Sequence, residues 1–125
     1  MPYPTQSHAT RPTESDVIHF ETDTNYCREH ADIAAAGEDL DLPVGTLLTG
    51  GDTPEAFDDA APATVTGVLL TDVRIEAGRT LPVAWAARGP ATLLRTGLRL
   101  PATPANANAA EADLAALGFK IVDGV

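Results

Sequence analysis

From Ile33 onward the chain is a series of short apolar runs cut apart by glycine and proline, and this punctuation limits the fold more than any other feature. "IAAAGEDLDLPVGTLLTG" predicts a short strand, a turn at Gly37, and a second strand after Pro43 that ends at Gly50 and Gly51. In "TVTGVLLTDV", Val65, Gly67 and Leu69 share one face, and a glycine inside such a run predicts a bulge or a close backbone approach. "EAGR" reads as a turn. "TLPVAWAARG" alternates again, with Leu81, Val83, Trp85 and Ala87 on one face; Pro82 lacks an N–H, which predicts an edge strand or a bulge. "ATLLRTGLRLP" reads as a further short strand pair, and "GDTPEAFDDAAPA" as a loop.

A single helix breaks this pattern. In "NAAEADLAALG", Asn108 is a suitable N-cap with Glu111 three residues on, and Asp113 lies toward the positive end of the macrodipole. Ala110, Leu114 and Leu117 form a narrow apolar stripe, Gly118 suits the position after the last turn, and "FKIV" reads as a closing strand. So short a helix is marginal alone, so Leu114 and Leu117 are expected to dock it on the sheet. The predicted class is mainly β (α+β), a small β-rich fold with one short C-terminal helix.

Residues 1–30 differ in kind. Pro2, Pro4 and Pro12 stand among Ser, Thr and charged side chains, with too little apolar surface to offset the entropy of ordering. The expectation is an extended arm over 1–30 and a globular domain over 31–125. Val17, Ile18 and Phe20 form the arm's one apolar patch, suited to adding a strand to a partner's sheet.

Chemistry-bearing residues concentrate in "NYCREHADI". Cys27 and His30 stand three apart, the spacing of a possible nucleophile and base. No second cysteine pair is present to complete a zinc set. Glu29 and Asp32 would disfavour a thiolate, and the segment reads as a solvated junction. The pairs Glu38–Asp39 and Asp58–Asp59 fall in turns, and no phosphate loop, dinucleotide fingerprint or Ser-His-Asp order occurs. Arg88 and Arg95 are expected to pair with the acidic surplus. The expectation is therefore no catalytic residues, no metal and no cofactor. A net charge of −10 argues against direct nucleic-acid binding. No apolar run approaches the roughly 20 residues of a membrane span, the N-terminus lacks a signal-peptide pattern, and no membrane step is expected.

Four segments, taken in order, resemble the lambda-type head decoration proteins of tailed viruses. Tyr26, Arg28, Glu29, Ala35, Gly37, Leu40, Val44, Gly45 and Leu48 follow the family's Tyr-x-Arg-Glu approach and its "A-x-G-x-x-L-x-x-G-x-x-L" turn and strand. "VTGVLLTDV" is similar to its "x-x-G-I-L" strand, "VAWAARGPATLLRTGLRLP" to its "V-x-x-x-G-x-V-x-x-x-x-L-x-x-P" segment, and "EADLAALGFKIVDG" to its last helix and strand. The usual "G-K-Y" opening of the loop region is missing, and residues 1–24 carry no motif. The resemblance implies a β-tulip-like fold and a homotrimer that binds the major capsid protein at local three-fold sites on the outer surface of the expanded virion head. Such a protein, made in the host cytoplasm, acts as cement against packaging pressure, with Tyr26 joining Val17, Ile18 and Phe20 in the capsid-binding arm. The alternatives are a monomeric β-barrel ligand-binding protein and a small hydrolase.

Overall fold

A computed structural model describes residues 17–21, 24–35, 37–50 and 54–123. Ten strands, a one-turn helix and one longer helix follow in the order β1 (Ile18–Glu21), α1 (Thr24–Cys27), β2 (Arg28–Ala34), β3 (Leu40–Leu42), β4 (Leu47–Thr49), β5 (Glu55–Ala56), β6 (Val65–Leu69), β7 (Val73–Ile75), β8 (Thr80–Ala86), β9 (Ala91–Leu94), α2 (Pro104–Ala116) and β10 (Phe119–Val122). The protein is mainly β, with one substantial helix near its C-terminal end. A five-stranded sheet runs β2-β8-β6-β4-β5, a three-stranded sheet β1-β9-β10, and a ribbon β3-β7; among the described residues no sheet closes into a barrel, which removes the barrel alternatives in that form.

The central strands β4 and β6 are buried on both faces because they divide two cores. Leu47, Val65, Val68 and Leu70 face a first core built with Leu93, Leu114 and Phe119. Leu48 and Leu69 face a second, with Leu42, Val73, Ile75, Val83 and Trp85. Strict alternation would put Val65 beside Gly67 and Leu69. Instead the β4–β6 register slips: Leu48 faces Gly67 while Thr49 faces Val65. The extra residue, Thr66, turns Val65 to the opposite side from Gly67 and Leu69, as a bulge does. Gly67 is required on its own account, because a Cβ there would stand 2.4 Å from Trp85 Cδ1 and 2.8 Å from the Ala86 carbonyl oxygen. Both outcomes expected of that glycine, bulge and close approach, occur together.

Several expectations change. Strand β8 is interior, not an edge; yet β6 pairs only with its Trp85–Ala86 end, so at Pro82 only β2 lies alongside and the missing N–H costs the ladder little. After β9 the chain makes a 3-10 turn over Arg95–Gly97 where a second strand was expected, and the 51–63 region contributes the two-residue β5 among its described residues. Helix α2 begins four residues before Asn108, with Thr103 as N-cap and Pro104 in the first position, where its fixed φ is preorganised and its absent N–H is not missed. Asn108 and Glu111 are therefore inside the helix. Asp113 lies near its C-terminal end, and its Oδ2 accepts from the Val65 N–H at 3.0 Å. Gly118 takes φ +99°, the conformation that ends a helix. Leu114 is fully buried and Leu117 half-buried against the first core, which docks the helix as expected.

The largest revision concerns residues 17–30. Val17 is fully buried in the first core, and its carbonyl accepts from the Leu94 N–H at 2.7 Å. β1 pairs antiparallel with β9 of the same chain, and β2 starts at Arg28 and pairs along its length with β8. The boundary near residue 30 is therefore too late: the apolar patch assigned to a partner's sheet is used in this chain's own. Residues 1–16 of the expected arm lie outside the described residues.

Candidate interaction surface

Cys27 marks the end of α1 and the turn into β2. The expected solvated junction is wrong for this residue: it is fully buried, its Sγ lies 3.8 Å from the Pro90 carbonyl oxygen, and its own carbonyl accepts from the Ala87 and Arg88 N–H groups. The helical turn points Cys27 inward while His30, two residues into β2, stays exposed. Cys27 is thus a packing residue, separated from the imidazole by burial. Among the described residues no three His, Cys, Asp or Glu side chains group closely enough to share an ion.

The acidic pairs serve local structure. Asp39 accepts from the Ala77 N–H and Asp58 from the Ala60 N–H. Asp59 accepts from Asn106 Nδ2 at 2.7 Å and from Thr103 Oγ1 at 2.8 Å, tying the loop before β6 to the start of α2. Those bonds, Asn106 first, hold its carboxyl below the ordinary 3.8.

Of the arm residues whose side chains are described, Tyr26 is the one open to solvent. Val17 is in the core, Ile18 packs against it, and Phe20 pairs through its backbone with Thr92, its side chain lying outside the described set. Tyr26 is 58% exposed, one of two large apolar side chains so placed among the described residues. The Arg88 guanidinium stands 5.2 Å from the centre of its ring, donates to the Tyr26 carbonyl and pairs with Glu29. Its pKa is raised, mainly by the hydrogen bond to Glu29. Arg88 and Glu29 are 59 residues apart and meet because Glu29 lies opposite Trp85 in the β2–β8 register. The sequence anticipated that Arg88 would find an acid, but Glu29 as its partner follows only from strand pairing.

Beside this group lies a concavity of about 620 Å³ lined by Glu29, His30, Ala31, Gly50, Thr66, Trp85, Ala87, Arg88 and Leu117. Its apolar lining is Ala31 and Leu117 with the buried Trp85 and Ala87; its polar side chains include an ion pair and an imidazole. Among the described residues no strand pairs with the outer edge of β2. Aromatic and arginine side chains around a hollow, next to an open strand edge, are the chemistry of a protein contact. Asymmetry elsewhere supports this: Arg28 forms a two-point ion pair with Glu21, at 3.0 Å through Nε and Nη2, with side chains 17% and 8% exposed, so the inner end of the same segment is locked to β1. No protein-family model matches this chain, and no curated protein matches it.

Proposed function

We propose that this chain is a capsid decoration protein of a tailed virus. It assembles as a homotrimer and binds the major capsid protein on the outside of the expanded head, where it clamps neighbouring subunits against the pressure of the packaged genome. The observation that carries the reading is the order of its four family-like segments over residues 25–123, which fall on β2 to β4, β6, β8 with β9, and α2 with β10, parts of one packed unit. A doubly cored plug whose β2 edge has no partner strand among the described residues suits a cement. A surface this acidic would not compete for packaged DNA. The arm of the proposal shortens to residues 1–16, since Val17 and Ile18 are used inside the domain.

The test is co-sedimentation of purified protein with expanded and unexpanded tailed-virus heads, with its mass in solution from light scattering. The reading predicts a trimer that saturates expanded heads and leaves unexpanded ones bare. A monomer that ignores both would favour a ligand-binding role for the concavity. Deleting residues 1–16 should leave the fold intact and weaken attachment.

A further inference from the structure

The second large apolar side chain exposed among the described residues is Leu81, 40% open. It lies toward the far end of the β2–β8 ribbon from Tyr26: Arg28 faces Ala86 at one end and Ile33 faces Leu81 at the other. Five residues at about 3.3 Å each separate those pairs by roughly 17 Å. Leu81 forms a tip with its exposed neighbours Arg79, Thr80 and Pro82. Arg79 has no ion-pair partner among the described residues, whereas Arg28, Arg74, Arg88 and Arg95 each have one.

We infer that the concavity beside β2 receives the Leu81 tip of a second copy of this chain. Copies that each carry −10 repel one another, so a contact is favoured where the local charge is balanced. The concavity is such a place, because Arg88 offsets Glu29 and the apolar lining is Ala31, Trp85, Ala87 and Leu117. The Glu29 side chain is 47% exposed and can take a second guanidinium beside the first. The tip supplies the complement, an apolar knob next to the unpaired Arg79. Tip and hollow are different patches of the ribbon; a pair of copies joined by one such contact is head-to-tail, and contacts of that kind close into a ring when the rotation between copies allows it. The number three rests on the decoration reading; the contact does not.

Cys27 is buried and is the only native cysteine, so introduced thiols report cleanly. Leu81→Cys protomers are mixed with Ala31→Cys protomers under mild oxidant. The inference predicts a disulfide-linked pair in the mixture and not in either variant alone. Leu81→Asp and Arg79→Glu, both at exposed positions, should keep the parent's circular dichroism and weaken assembly at least tenfold by light scattering. An assembled parent that gives no cross-link, or whose assembly survives Leu81→Asp, overturns the contact. So does a parent that stays monomeric at every concentration. If the parent assembles, cross-links as predicted, and fails to bind expanded heads, the decoration reading falls while the contact stands.

Discussion

The two cores are built from similar aliphatic side chains but are finished differently. The first lies between the β1-β9-β10 sheet and α2 on one side and β4 and β6 on the other, and is sealed at its rim. Arg95 pairs with Glu111 at 2.9 Å and also with Asp123, joining the 3-10 turn, the helix and the end of β10. The second core lies under the β2–β8 ribbon and the β3–β7 pair. It contains the chain's one tryptophan, and among the described residues its outer edge is open at Tyr26, the concavity and Leu81. The first half is closed by ion pairs at its rim, and the proposed contact falls on the second. Substitutions should separate the two.

The largest effect belongs to the sealed core. Leu93→Ala and Leu114→Ala should each cost about 2–5 kcal/mol in denaturant unfolding, the range for a fully buried leucine. An unchanged midpoint for Leu114→Ala would mean that α2 is not docked and would dissolve the contrast. Next comes the lock between β1 and β2. Glu21→Ala removes the two-point partner of a largely buried guanidinium and should cost about 3 kcal/mol. A cost below about 1 kcal/mol would place this pair with surface ion pairs and return β1 to the status of a loose arm.

At the open edge, Tyr26→Ala and Arg79→Ser should shift stability by no more than about 0.5 kcal/mol, since both side chains are exposed. Large losses there would make the edge part of the folding unit. The smallest effect concerns acid. Asp59 has a lowered folded-state pKa, so its contribution is present above the ordinary value of 3.8 and is lost as pH falls through the lower folded value. Asp59→Ala should flatten the stability profile in that acid window and leave the slope near neutrality alone. A change confined to neutral pH would contradict the assignment.

What was legible in the sequence follows the same division. The strands over 65–69 and 80–86, the turn at Gly78 and the docking of Leu114 could be read from local pattern, because each rests on alternation, a glycine or a helical stripe. The helix start was missed although Thr103-Pro104 signals it, since Asn108 with Glu111 imitates a cap within the helix. Residues 17–30 were misread for a deeper reason. Val17 and Cys27 are few among polar neighbours, and only long-range partners, Leu94 and Pro90, make them core residues. The concavity depends on three non-local pairings at once, and no periodicity within β2, β6 or β8 reports it.

Amide hydrogen exchange on the assembled parent and on the Leu81→Asp variant, whose assembly is weakened, tests the division most directly. The account predicts slow exchange at β9, α2 and β10 in both states. Protection gained on assembly should fall at 26–34, along the open edge of β2, and at 79–82, around the Leu81 tip. Protection gained instead over α2 and β10, with β2 and the tip unchanged, would place the contact on the sealed half and contradict it.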